Sequence, residues 1–334
     1  MKINTSVTPP SFQTIPIVVA FDNNYCIPAS VSLYSMLSCA KQERDGVKLF
    51  YQIHCLVDSL STENTEKLKQ TIAPFSAFSG IEFCDISKND AYPFKLVSKL
   101  FLRLHSFVQK HFSKMILCRL LLASIFPQYE KIIMFDVDTL FVGDISESFF
   151  ISMDGEYCGM VKEDLSLFNL DSLDAFLKNR TIDCIKYFEL DEECVLPTEE
   201  LITLYRNHFN VGFMVANLKL WRDDNLEEKL CEFFVARNYS LACPEQDTIK
   251  LYVPTRFYPS RIRIIFLIDY SIEKRLMKDL MFAWFTFLAM KSLGIKIISI
   301  YLMLKSGVKH FLKPLLHWIF LKIIRINLKI TRTK

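Results

Sequence analysis

The chain is predicted to be an α/β protein with a mainly parallel sheet flanked by helices, and three observations predict it. Continuous apolar runs rich in β-branched residues, 15–21 (IPIVVAF) and Lys131–Phe135 (KIIMF), read as strands buried on both faces. Helical patterns alternate with such runs in β-α-β-α-β order, which favours parallel pairing. Of 334 residues 51% are hydrophobic and only eight are Gly, which excludes disordered and collagen-like chains and allows a large core.

The first run ends in Asp22, Asn23 and Asn24, and residues 29–40 (ASVSLYSMLSCA) follow as a helix with a small-residue face suited to close packing on a sheet. A second strand at 49–57, a helix at about 62–75 and a third strand at 81–84 complete the alternation. Residues 115–126 (MILCRLLLASIF) form an apolar helix interrupted by one charge, Arg119, and stopped by Pro127. The fourth strand, 131–135, runs directly into Asp136, Val137 and Asp138. Residues 165–205 read as helices and loops outside the sheet, 211–216 as another strand and 223–236 as another helix. With no repeat and no Pro/Gly/Ser linker before residue 270, the expected organisation is an N-terminal extension (1–14), one α/β domain (15–270) and a tail (271–334).

Charge separates the tail from the rest. Residues 280–334 carry ten Lys and Arg and no Asp or Glu, whereas residues 1–279 hold 30 basic and 37 acidic residues. An acidic body with a basic, apolar tail argues against nucleic-acid binding and for contact with anionic lipid. The longest uncharged run from Leu280 onward, 280–290, is too short to span a bilayer, and Lys305, Lys309 and Lys313 recur every four residues, so the tail reads as an interfacial amphipathic helix. The ten cysteines are scattered without a CxxC pair, and the first residues lack an apolar secretory core. The expected location is cytoplasmic, peripheral at the cytoplasmic face of the inner membrane.

Ligands of parallel sheets gather at the carboxyl ends of the strands. Two carboxylates two residues apart at such an end, Asp136 and Asp138, can converge on one hard divalent cation that neutralises a diphosphate. A phosphoryl transferase of haloacid-dehalogenase type also places D-x-D after an apolar strand. Its usual D-x-D-G-T is not met here, where the segment reads Asp136, Val137, Asp138, Thr139, Leu140.

Four ordered segments, IPIVVAFDNNY, CRLLLASIFPQYEKIIMFDVDTLFVGDI, FNVGFMVANLKLW and PEQDTIKLY, make residues 15 to about 260 resemble the family 8 glycosyltransferases, a retaining group that includes bacterial lipopolysaccharide galactosyl- and glucosyltransferases and glycogenin. The resemblance implies a GT-A (nucleotide-diphospho-sugar transferase) fold and transfer of a hexose from a UDP-sugar, with manganese, or magnesium in its place, to a saccharide or glycolipid acceptor. It sets Ala20, Asp22 and Asn24 around the uracil and ribose. Arg119 is set at the donor sugar and diphosphate, and Asp136, Val137 and Asp138 at the diphosphate and metal. Asn210 and Gly212 would meet the transferred sugar, with Val211 between them where the family often has Ala. Gln246 would lie on the reacting face near the anomeric carbon, and Asp247 would hydrogen-bond sugar hydroxyls. Glu245 stands where the family has the first Asp of D-Q-D.

One departure is larger. The family's later H-Y/F-x-G-x-x-K-P-W segment, whose His completes the metal shell, has only an echo at 309–318 (KHFLKPLLHW), with His310, Phe311, Lys313 and Pro314 but without its Gly and spacing. A non-catalytic, membrane-associated sugar-nucleotide or glycan binder is therefore the alternative expectation.

Overall fold

The computed structural model describes residues 12–141, 143–162, 165, 170–186, 195–238, 240, 241, 243–253, 255–258 and 264–266. The expectations for residues 1–11 and for the tail from 267 onward lie outside them.

Strand β1 (Phe12–Asp22) leads through a 3-10 turn (Asn23–Tyr25) into α1 (Cys26–Cys39), and β2 (Glu43–Arg44) precedes β3 (Val47–Asp58). Helix α2 (Thr62–Ile72) begins at Ser61, whose hydroxyl accepts from Asn64 N at 3.1 Å, the cap expected of a Ser before a helix. Next come β4 (Ser79–Asp85), α3 (Tyr92–Phe101), α4 (Ser106–His111), a 3-10 helix (Lys114–Leu121), α5 (Leu122–Ile125), β5 (Lys131–Phe135), β6 (Thr139–Phe141) and α6 (Ser146–Phe150). The remaining elements are β7 (Cys158–Lys162), α7 (Leu173–Lys186), α8 (Thr198–Arg206), β8 (Phe209–Asn217), α9 (Leu218–Asp223), α10 (Leu226–Arg237), α11 (Pro244–Tyr252), β9 (Thr255–Tyr258) and β10 (Ile264–Phe266).

The main sheet runs β2-β3-β1-β5-β8-β7-β9, with β4 also paired to β3. β4, β3, β1 and β5 are mutually parallel, as the β-α-β-α-β order predicts. β8 reverses direction against both β5 and β7, so the sheet is mixed on that side. Hydrophobic pattern marks a buried strand without giving its direction, which here follows from β8 returning beside β5 in antiparallel register, Phe135 opposite Phe213. β6 and β10 form a separate antiparallel pair.

Ile15, Ile17, Val18 and Val19 of β1 and Ile132 to Phe135 of β5 are all buried, because helices cover both faces of the sheet. One core holds Ile17, Val19 and Phe135 against α1, and the other holds Val18, Met134 and Trp221 against the 3-10 helix, α9 and α10. Cys55, Cys118 and Cys158 sit fully inside as small hydrophobes. His54 of β3 is also buried, with Nε2 2.9 Å from Tyr129 Oη and Nδ1 3.4 Å from Glu82 Oε2.

Residues 115–126 depart from the expected α-helix. Residues 114–121 wind as a 3-10 helix, and only 122–125 are α. Met, Leu and Arg favour α-helix by propensity, but Met115 and Leu117 to Leu121 are all buried, against β1, β3, α3, α10 and α11. Packing on several sides overrides propensity, and a 3-10 run this long marks a segment held in place by its surroundings.

Candidate active site

Strand β5 stops at Phe135, and Asp136 opens the turn that carries Val137 and Asp138 across its carboxyl end. Asp136 N donates to Gly212 O at 2.9 Å, which ties this turn to the start of β8. Beyond it, Phe141 N donates to Ser35 Oγ of α1 at 3.0 Å, so the turn is held on both sides. Val137 points into the core, leaving the two carboxylates directed elsewhere.

Arg119 reaches this turn from the 3-10 helix, only 2% exposed. It donates through Nη2 to Asp136 Oδ1 at 2.5 Å and through Nη1 to Glu245 Oε1 at 3.1 Å. Burial works against its charge, but Asp136 and Glu245 together outweigh that and hold the guanidinium above its ordinary pKa. Burial, and after it the Asp136 charge, pushes the Asp138 carboxyl up to about 7. Burial likewise lifts Glu245 to about 7, with Arg119 pulling the other way. Glu245 Oε2 and Arg119 Nε are buried without a hydrogen-bond partner among the described residues.

The third arm is α11. Its first turn contains Glu245, Gln246 and Asp247, and Gln246 Oε1 accepts from Val211 N at 3.4 Å. Asn210 Oδ1 accepts from Gly212 N at 2.6 Å, folding the Asn-Val-Gly segment into a local turn. Asp247 has a structural task as well: its buried carboxylate accepts from Cys243 N at 2.9 Å and pairs with Arg180 of α7. An acidic group in the first turn also suits the helix dipole.

The structure thus brings Arg119, Asp136, Val137, Asp138, Asn210, Gly212, Gln246 and Asp247 to one end of the sheet, where β5, β8, α11 and the 3-10 helix meet. Asp22 ends β1, Ala20 lies two residues before it, and Asp22 Oδ1 accepts from Asn24 N at 2.8 Å. The sequence marks Asn23 only as part of the turn, and two further residues, Lys114 and Arg180, carry no signal in it. Asn23 Oδ1 accepts from Ser61 N at 3.0 Å and Asn64 Nδ2 at 2.9 Å, pinning the Asp22–Asn24 turn to α2. Lys114 pairs with Asp58 at 3.0 Å and fixes the start of the 3-10 helix at the end of β3. Arg180 lies in the mixed stretch 165–205, where no local pattern points to Asp247.

The donor set suits a hard divalent cation, since Asp136 and Asp138 offer carboxylate oxygens two residues apart at the mouth of β5. Among the described residues no group of three or more His, Cys, Asp or Glu could hold a metal ion. His310 lies outside the described residues.

The model for glycosyl transferase family 8 matches residues 16–281. Among solved structures, the galactosyltransferase LgtC in complex with donor and acceptor sugar analogues aligns with a TM-score of 0.51 and 16% identity, over 74% of this chain and 74% of LgtC. The WbbM bifunctional glycosyltransferase aligns with a TM-score of 0.50 and 19% identity, over 76% of this chain but only 39% of WbbM. A comparison with curated proteins finds no match. At these identities the structural likeness establishes the GT-A fold, and the phosphoryl-transferase reading of the D-x-D falls away with it. The family match over most of its length then places the chain in glycosyl transferase family 8, and the protein is a glycosyltransferase.

Proposed function

We propose that the protein transfers a hexose, galactose or glucose, from a UDP-sugar to a saccharide or glycolipid acceptor with retention of configuration, in the synthesis of lipopolysaccharide or another cell-surface glycan. The observation that carries this reading is the meeting of Asp136 and Asp138 with Arg119, Asn210 to Gly212 and Gln246 at one sheet end. LgtC, a galactosyltransferase solved with donor and acceptor sugar analogues, is a fold relative that supports this reading.

Asp136 and Asp138 would hold manganese or magnesium, and a bound divalent cation supplies neutralisation of the charge that gathers on the departing diphosphate. Arg119, fixed by Glu245, orients the Asp136 carboxylate for that task. Ala20, Asp22 and Asn24 would receive the uracil and ribose, the amide and carboxylate matching ring and sugar donors and acceptors. Asn210 and Gly212 would border the transferred sugar, Gly212 allowing close backbone approach. Gln246 would face the anomeric carbon, and Asp247, buried against Cys243 N and Arg180, would hold the start of α11 beneath it. Residues 271–334, with ten cations in their last 55 positions, would hold the domain, 15–270, at the cytoplasmic face of the inner membrane.

Release of UDP from a panel of UDP-hexoses by the purified chain with manganese, with and without saccharide acceptors, tests the reading. Turnover of one UDP-hexose above the rest is expected. Absence of both hydrolysis and transfer with every donor would overturn the UDP-hexose reading.

A further inference from the structure

Between Lys88 and Lys114 the chain carries six Lys and Arg against one carboxylate, Asp90, although residues 1–279 as a whole are net acidic. Helix α3 and the residues just after it divide sharply by burial. Phe94, Val97, Leu100 and Leu104 enter the core, whereas Tyr92, Lys95, Lys99, Leu102 and Arg103 are exposed. Spacings of three and four residues set the exposed group on one side of the helix. Tyr92 and Leu102 are 71% and 73% exposed, more than any other large hydrophobic among the described residues.

A merely solvated helix face normally mixes its charges, and α2 does so, pairing Lys67 with Glu63 and Lys69 with Glu66. On α3 Lys95 meets only the almost fully exposed Asp90, at 3.4 Å. Among the described residues neither Lys99 nor Arg103 has a carboxylate within ion-pair reach. Cations flanked by exposed apolar side chains suit a surface that is anionic outside and apolar beneath. The basic tail is no electrostatic match for this face, since it carries the same sign. Helix α3 also follows β4, whose carboxyl end points the same way as those of the parallel strands β1 and β5.

We propose that the outer face of α3 docks on an anionic lipid bilayer, with Lys95, Lys99 and Arg103 meeting headgroups and Tyr92 and Leu102 entering the interface. This contact is separate from the tail and independent of the donor reading. Amine acetylation footprinting of the full chain, read by mass spectrometry, tests it together with vesicle co-sedimentation. Vesicles of phosphatidylglycerol and phosphatidylcholine should shield Lys95 and Lys99, and phosphatidylcholine alone should not. The triple variant Lys95→Gln/Lys99→Gln/Arg103→Gln should bind anionic vesicles on the order of a hundredfold more weakly in low salt. Tyr92→Ser/Leu102→Ser should weaken binding while leaving its salt dependence in place, and thermal melts verify that both variants stay folded. Unshielded lysines together with wild-type affinity in the triple variant would overturn the proposal. So would shielding of Lys95 and Lys99 by an acidic protein but not by anionic vesicles.

Discussion

Arg119 donates to Glu245 at 3.1 Å across 126 residues of chain, and the same guanidinium holds Asp136. One buried cation therefore joins the 3-10 helix, the end of β5 and the start of α11. Removing Glu245 leaves the buried guanidinium with Asp136 but without its more deeply buried carboxylate partner. Glu245→Ala should lower unfolding stability by about 3 kcal/mol, and Glu245→Asp by less, because it keeps the carboxylate. Urea unfolding of both variants measures this, and a loss in Glu245→Ala no larger than in Glu245→Asp would show that the carboxylate does not matter there.

Asp136→Asn and Asp138→Asn should each abolish the manganese-dependent part of UDP binding. Both residues lie in the turn after β5, and Asn keeps a side-chain oxygen for Arg119 at position 136, so the fold should survive. Calorimetry of UDP with and without manganese reads the difference directly. Retention of the full metal-dependent affinity in both variants would remove the metal assignment.

Gln246 touches the segment between Asn210 and Gly212 through Val211 N. If it faces the reacting carbon, Gln246→Ala should lower kcat on the order of a hundredfold, with KM changed by less than about threefold. Steady-state kinetics with the best donor separates the two. A rise in KM alone would make Gln246 a binding residue.

Burial, the larger influence, lowers the pKa of His54 below its ordinary 6.5, and Glu82 offsets this in part. An unfolded chain then binds more protons than the folded one between the lowered value and 6.5. Stability from this residue is present above 6.5 and is lost as pH falls through that window. His54→Gln keeps a hydrogen-bonding group beside Tyr129 but cannot titrate. Its melting temperature should fall less than that of the wild type between about pH 7.5 and about pH 5.5. Parallel decline of the two proteins would assign the acid sensitivity to other groups.

A chain ending at Asp279 should lose most of its affinity for anionic vesicles while keeping its UDP affinity. What vesicle binding remains should depend on Lys95, Lys99 and Arg103. Sedimentation with anionic and neutral vesicles, beside calorimetry of UDP, follows both properties. Loss of UDP affinity on truncation would instead assign His310 or Lys313 to the donor site.

Much of this protein was legible in sequence because some signals are local. β1 and β5 announce themselves as unbroken apolar runs, since a strand covered on both faces needs apolar side chains at every position. Asp136 and Asp138 stand out because charge follows such a run without a break. The ordered segments around Arg119, Asn210 and Gln246 carried the family resemblance for the same reason. Tertiary structure alone decided three things. Against its helix propensity, residues 114–121 became a 3-10 helix because packing closes on them from several elements. Antiparallel placement of β8 rests on hydrogen bonds to strands distant in sequence. The partnership of Arg119 with both Asp136 and Glu245, and that of Asp247 with Arg180, likewise depends on which helix ends meet at the sheet edge. Backbone preference and hydrophobic period act over a few neighbouring residues, whereas a buried ion pair is chosen by the whole core that excludes water around it.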